Sequence, residues 1–325
     1  MRERFFIDLS TGVILWCGNW KKRSDTYFIS HIDTRITPNS SFMNVSEAWE
    51  YGRSQLPHFP SARLDARLLL EHVLGVSHSW LAAYGDEALT AVQETQYRQL
   101  IERAARHEPI PYLVGHAPFF HLDFIVTPAV LIPRPETEQL VALAADWARA
   151  RPLGHLPCHI VDVGTGSGCI PVTLAGHLPQ AVIEATDIST AALEIAQQNA
   201  QQHAPDRILF HHGHLLAPIS QPVDLLIANL PYVTDAEWTM LDDGVKWYEP
   251  VAALKGGADG LDLIRQLLHQ AVTQLNSGAV IFLEIGWRQG TAVHDLAQSV
   301  FPAAQIELVQ DFANHDRIVV IKMND

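Results

Sequence analysis

The sequence has little of what a secreted, membrane-spanning or nucleic-acid-clamping protein needs. Only three cysteines occur in 325 residues. Cys17, Cys158 and Cys169 are too scattered for a disulfide framework or a paired metal motif, and they suit buried thiols in a reducing compartment. The cytoplasm is therefore the expected location. Long apolar runs are also missing: stretches such as Ala279 to Ile285 are far too short to cross a bilayer. Met1 to Trp20 starts basic and contains an apolar patch, Val13 to Trp16. Asp8 intervenes, however, and no continuous apolar core follows, which argues against a signal peptide. Basic charge is scarce: 22 Lys and Arg against 36 Asp and Glu give a net charge of −14. That balance weighs against a protein held on phosphate by counterion release, because such surfaces are usually basic. Internal repeats and low-complexity tracts are absent. What remains is 48% apolar and 18% charged, an ordinary globular balance, and long enough for one large and one smaller domain.

Four segments follow along the chain. Residues 1–42 form an atypical extension ending in the linker-like Thr37-Pro38-Asn39-Ser40-Ser41. Met43 precedes Asn44-Val45-Ser46-Glu47, a helix opening with capping residues, and two readings stand: Met43 as the true start, or residues 1–42 as a genuine extension. Residues 44–110 read as a small helical domain that docks a substrate. Leu64, Arg67, Leu68, Glu71, His72 and Leu74 recur at helix spacing before Gly75, a stop signal. Ala91 to His107 carries Tyr97, Leu100, Ile101 and Ala104 on one face, and Pro109 and Pro111 end it. Residues 111–135 form a linker in which Phe119 to Ile132 alternates like a hairpin. Residues 136–325 alternate helix and strand. Leu140, Leu143, Ala144 and Trp147 mark a helix. His159 to Val163, Ala181 to Thr186, Ile208 to His211, Val223 to Ala228 and Ala279 to Ile285 read as strands. A helix with Leu261, Ile264, Leu268 and Leu275 inward lies between the last two. Gln305 to Val309 and Arg317 to Lys322 close the chain as an antiparallel edge hairpin. The expected fold class is α/β, a Rossmann-like, mostly parallel sheet with a small N-terminal helical domain.

Val161-Asp162-Val163-Gly164-Thr165-Gly166-Ser167-Gly168 is the first chemical signal. A strand runs into a glycine-rich turn that opens a helix, so a ligand can approach the backbone where side chains would block it. Asp187 ends the next strand about 20 residues on, where a carboxylate can bind ribose hydroxyls. Dinucleotides and S-adenosylmethionine share this logic. Asp162 tilts the choice, since its charge complements a cationic amino-acid ligand but sits awkwardly beside a pyrophosphate. S-adenosylmethionine is the expected cofactor.

Asn229-Leu230-Pro231-Tyr232 follows the strand Val223 to Ala228, at the carboxyl edge where open α/β sheets bind ligands. These four residues resemble the Asn/Asp-Pro-Pro-Tyr signature of methyltransferases that act on planar, conjugated nitrogens. Further motifs lie in Leu64 to Leu70, Pro111 to Gly115, Leu131 to Glu138 and Tyr248-Glu249-Pro250. Others are Gly256-Gly257, Asp259-Gly260-Leu261 and Leu283-Glu284-Ile285-Gly286. Together they are similar to the glutamine methyltransferases that modify bacterial peptide-chain release factors, over roughly residues 44–323.

The resemblance implies roles. Asn229, Leu230, Pro231 and Tyr232 would be catalytic, with the Asn229 oxygen and the Leu230 carbonyl accepting the two hydrogens of a glutamine amide. Pro231 would fix the turn and Tyr232 would pack on the flat amide. Asp162, Gly164, Thr165, Gly166, Ser167, Gly168, Asp187, Leu215 and Asn229 would hold the cofactor. Arg134 and Glu136 would line the approach of the substrate, a release factor. Leu230 stands where the family usually has Pro, and His214 where it commonly has Asp before the Leu215 position. Rival readings are methylation of a glutamine in a large-subunit ribosomal protein, adenine-N6 methylation of nucleic acid, and a non-catalytic scaffold. No membrane, metal or stable nucleic-acid partner is expected. His211-His212-Gly213-His214 resembles a metal cluster only superficially, since neighbouring strand residues point to opposite faces.

Overall fold

A computed structural model describes residues 42–57, 59–151 and 157–324, together with two short antiparallel strands, β1 (Phe6–Ile7) and β2 (Ile14–Leu15). The expectations for residues 1–41 as an extension, and for Cys17, otherwise lie outside the described residues.

The helical region starts with α1 (Val45–Gln55), whose Asn44 and Glu47 form a reciprocal capping box. α2 (Ala62–Leu74) ends at Gly75 with φ of 66°, a left-handed cap. α3 (His78–Ala83), α4 (Ala91–Ala105) and α5 (Ile110–Val114) complete it. Thr90 and Gln93 make a second capping box at the start of α4. These helices share a core of Leu69, Leu70, Leu81, Tyr97, Ile101 and neighbours. The α4 face is as expected, with Tyr97, Ile101 and Ala104 buried. The α2 face is corrected: Ala66, Leu69 and Leu70 point inward, whereas Leu64 is exposed and Leu68 lines a groove. Spacing alone could not separate two apolar stripes on one helix.

The expected hairpin is shorter and earlier than Phe119 to Ile132: β3 (His116–Phe119) pairs with β4 (Leu122–Ile125). Val126, Val130 and Ile132 continue as a buried irregular segment packed on Tyr112, Ala192 and Ile195. α6 (Pro135–Ala150) then leads into β5 (His159–Val163), α7 (Cys169–His177), β6 (Val182–Asp187), α8 (Thr190–His203), β7 (Ile208–His212) and β8 (Val223–Ala228). Short elements follow: β9 (Val233–Thr234), α9 (Asp235–Trp238), α10 (Asp243–Tyr248) and β10 (Lys255–Gly257). α11 (Asp262–Ala271), β11 (Leu275–Glu284), α12 (Gly290–Val300), β12 (Gln305–Gln310) and β13 (Asp316–Lys322) end the chain. Leu275 belongs to β11 rather than to the preceding helix. A register shift between Leu275 and Val280 interrupts the apolar run there and hides the start of the strand from the pattern.

The main sheet has seven strands in the order β12-β13-β11-β8-β5-β6-β7, with β13 alone running against the rest. β5 and β8 are neighbours although two helix crossovers separate them in sequence, so the strand order reverses between them. That is the crevice where open α/β sheets bind ligands. Both faces are covered, one by a core around Leu140, Leu174 and Phe282, the other by one around Leu226, Leu268 and Ile281. All six β8 residues are buried, as a central parallel strand requires. Among the described residues no helix is long and apolar enough to cross a membrane.

Candidate active site

Val163 pairs with Ala228, so the turns that leave β5 and β8 emerge side by side. On one side the chain enters Gly164, Gly166 and Gly168 with φ of 76°, 55° and 78°, which side chains rarely adopt. Gly168 also lets α8 approach: a Cβ there would lie 3.1 Å from the Ala196 Cα. The turn is tied to β6, because the Gly164 and Thr165 N–H groups both donate to the Thr186 carbonyl, at 2.9 and 3.0 Å. Asp187 accepts from Gly166 N–H at 2.9 Å and from Ser189 N–H at 2.8 Å, which holds its carboxylate beside the loop. Asn199 clamps the loop from behind, donating to the Ser167 carbonyl and bonding both ways to Ile125 of β4.

A cavity of about 360 Å³ opens between the two turns. Gly164, Thr165, Gly166, Ser167, Asp187, Leu215, Asn229, Leu230, Pro231 and Arg134 all line it, so the structure brings most of the sequence-derived candidates together. His214 lines it too, half-buried beside Leu215, whose φ is 51°. Asp162, Gly168 and Tyr232 are not on the wall. Asp162 lies fully buried behind it, and neither of its oxygens has a hydrogen-bond partner. Burial raises its carboxyl to about 7, tempered by the nearby Thr165 hydroxyl. The Thr165 and Thr186 hydroxyls are likewise unpartnered. Glu136 is exposed in the first turn of α6 and does not line this cavity.

Past β8, the Asn229 Nδ2 donates to Thr137 Oγ1 at 3.1 Å, and the Thr137 hydroxyl donates to Glu284 Oε2 at 2.7 Å. Among the described residues nothing donates to the Asn229 Oδ1 or to the Leu230 carbonyl. The Leu230 side chain is buried, and its Cδ2 would lie 3.0 Å from a Cβ at Gly164. Replacing the usual Pro by Leu thus fills core space and leaves the carbonyl free. Tyr232 is half-buried, and desolvation together with the Glu284 charge pushes its phenol up to about 12. The turn rests on a floor that only glycine permits: a Cβ at Gly260 would sit 2.2 Å from the Tyr232 carbonyl oxygen. Gln289 completes the floor, donating to that carbonyl at 2.9 Å and accepting from Gly286 N–H. β9 and β10 pair in parallel just beyond and fix the same segment.

Thr137, Glu284 and Gln289 were missed as site residues. Thr137 and Glu284 sat inside quoted motifs, but their partners lie 92 and 147 residues apart in sequence, out of reach of spacing arguments. Arg134 lines the cavity and is ion-paired with the buried Glu249. It also lines a larger groove of about 800 Å³ between α2, the end of α4 and the 242–249 segment. Of the histidine run, His211 pairs with Glu184, and His212 Nε2 contacts the Ile188 carbonyl at 3.0 Å. No group of three potential ligands that could hold a metal occurs among the described residues.

The sheet order and the two adjoining turns define an α/β methyltransferase. A model of the methyltransferase small domain matches residues 152–244, and one of the PrmC N-terminal domain matches 47–115. The catalytic domain of hMettl16, solved with the MAT2A 3'UTR hairpin 6, shares the fold. Its TM-score is 0.50 at 17% identity, over 63% of this chain and 77% of that one. The release factor glutamine methyltransferase of Bacillus anthracis is 36% identical over 280 residues, 85% of this chain and 98% of that protein. That of Xylella fastidiosa strain Temecula1 is 40% identical over 264 residues, 79% of this chain and 92% of that protein. The chain belongs to the release factor glutamine methyltransferase family.

Proposed function

We propose that this enzyme transfers a methyl group from S-adenosylmethionine to the side-chain amide nitrogen of the glutamine in the Gly-Gly-Gln motif of peptide chain release factors, in the cytoplasm. The observation that carries the reading is the pair of unsatisfied acceptors, Asn229 Oδ1 and the Leu230 carbonyl, on the wall of one cavity with the glycine turn and Asp187.

The cavity fits the cofactor. Its volume falls in the range of small-molecule sites, about 300–1,000 Å³, and apolar Ala129, Val130, Ile188 and Leu215 offer a face for an adenine ring. Asp187 is placed for ribose hydroxyls. The unpartnered Asp162, Thr165 and Thr186 suit a ligand bearing an ammonium group. S-adenosylmethionine would supply a sulfonium-bound, electrophilic methyl group there, held by Gly164 to Ser167, Asp187, Leu215 and Asn229, with Asp162 and Gly168 acting from behind the wall.

An amide nitrogen is a poor nucleophile because its lone pair is delocalised into the carbonyl. Asn229 Oδ1 and the Leu230 carbonyl accept the two amide hydrogens, so the nitrogen is aimed and its electron density increased. Pro231 fixes the turn that spaces those acceptors, and Tyr232 packs against the flat amide. Orientation of this kind contributes on the order of 7–11 kcal/mol in well-aligned reactions. No strong base is needed beforehand, because the methylated nitrogen is acidic and releases its proton afterwards.

Choice of one glutamine among many requires a wider surface, and we assign it to the helical region. The groove beside α2 runs up to Arg134, which also lines the catalytic cavity. Arg134 and Glu136 would then guide the substrate loop.

Mass spectrometry of purified release factor, incubated with the enzyme and S-adenosylmethionine, tests the reading. One added methyl on the Gly-Gly-Gln glutamine is the expected result. An unmodified release factor alongside a methylated ribosomal protein or adenine would replace it.

A further inference from the structure

Three elements meet behind Asn229: the end of β8, the first turn of α6 through Thr137, and the end of β11 through Glu284. Thr137 and Glu284 are 3% and 1% exposed, so neither is there for solubility. A carboxylate has no natural place in a strand whose neighbours are Leu283 and Ile285 unless something uses it. We propose that Glu284, acting through Thr137, is a positioning residue that fixes which end of the Asn229 amide faces the reacting nitrogen. The proposal rests on the glutamine-methylation reading for its catalytic consequence, but not for the relay itself.

The logic is one of donor polarity. An ionised carboxylate only accepts hydrogen bonds, and a threonine hydroxyl has a single proton to give. Glu284 Oε2 takes that proton at 2.7 Å, so the Thr137 oxygen can only accept from its other neighbour. It draws the NH2 end of Asn229, at 3.1 Å, and turns Oδ1 away from the pair. Once Glu284 is protonated, its own O–H can donate to Thr137. The threonine proton is then free to bind Oδ1, and the amide loses its fixed sense.

The relay is consequently sensitive to pH near neutrality. Burial raises the Glu284 carboxyl to about 7, with the Thr137 hydroxyl, Arg317 and the Asn229 side chain favouring the ionised form and Glu136 opposing it. Arg317 faces Glu284 from β13 and is itself paired with Asp311. Glu136 comes from α6, Cys169 from α7, and Tyr232 from the turn after β8. The relay is set above this midpoint and lost below it.

The test is nitrogen-15 NMR of the full chain labelled at asparagine, with the Asn229 side-chain signals identified by their loss in Asn229→Ala. In the wild type those signals are expected to move with pH around neutrality, and in Glu284→Gln to stay put. Unmoved wild-type signals, or equal movement in both proteins, would overturn the relay whatever the substrate proves to be. With release factor as substrate, Thr137→Val is expected to lower kcat by roughly 10–100-fold, the scale on which outer partners tune a working group. KM should hold, and Thr137→Ser should recover most of the rate. A purely structural Thr137 would instead give proteins that unfold early but, while folded, turn over normally. If wild-type enzyme leaves release factor unmodified, the substrate reading falls and the NMR result still decides the relay.

Discussion

The proposed function gives Asn229 two tasks, binding a substrate amide and lining the cofactor cavity, and the two can be separated. Asn229→Ala removes the side-chain acceptor but leaves the Leu230 carbonyl, so turnover should fall rather than vanish. The expected loss is about 2–4 kcal/mol, comparable to deleting one preorganised polar group at a reacting centre. Single-turnover kinetics with saturating S-adenosylmethionine reads that loss free of any change in cofactor affinity; an unchanged rate would rule out the assigned role. Asp162 gives a second residue-level expectation. Its carboxyl is raised to about 7 by burial, and a cationic ligand nearby favours the ionised form, so binding must cost less once the proton has left. Cofactor affinity should therefore rise with pH up to about 7, by at most about tenfold per unit. The cofactor's own amino group titrates as well, so the diagnostic quantity is the difference between wild type and Asp162→Asn. Equal slopes by calorimetry would mean that Asp162 does not sense the ligand. Asp162 could be chosen from sequence because it adjoins a glycine turn. Its complete burial beside the Thr165 hydroxyl could not.

Helices and strands differ in how openly the sequence declares them. β5 and β8 are short, dominated by apolar residues around His159, Asp162 and Asp224, and bounded by turns, so the sequence pattern marks their limits. β11 was shortened because Asn276-Ser277-Gly278 break its pattern at the register shift. β9 and β10, two and three residues long, carry no pattern at all; they pair in parallel just after the Asn229 to Tyr232 turn. α2 was recognised as a helix, but its two apolar stripes could be ranked only once α4 and α1 were packed against it. The outward stripe now has an expected use. Leu68 lines the groove with Asp65, Glu71 and His72, on the path that ends at Arg134. Leu68→Glu should raise KM for release factor by about tenfold, or 1.4 kcal/mol, without changing kcat or cofactor affinity. Steady-state kinetics decides it, and an unmoved KM would detach this groove from substrate docking.

At the scale of the molecule, the site sets a stability cost that depends on pH. Asp162 and Glu284 are both raised to about 7, so between the ordinary carboxylate range and neutrality the folded chain holds protons that the unfolded chain has released. Stability contributed by these two groups is fully present below the unfolded values and is lost as pH climbs through about 7. Asp224 acts in the opposite sense. Burial raises it, but Arg151, the His159 N–H and Asn276 together hold it below its ordinary value. Its contribution appears as pH rises out of the acid range and persists above it. The unliganded enzyme should therefore be most stable in mildly acidic solution and weaken towards neutrality, where its proposed chemistry needs both site carboxylates ionised. Urea midpoints measured across this range should decline for the wild type. They should stay level for the double variant Asp162→Asn with Glu284→Gln, at the expense of activity. A saturating cofactor should restore the loss, because a ligand that binds only the folded state adds stability in proportion to its excess over Kd. Should the double variant decline as steeply as the wild type, the two carboxyls are not the groups that make the folded active site sensitive to pH.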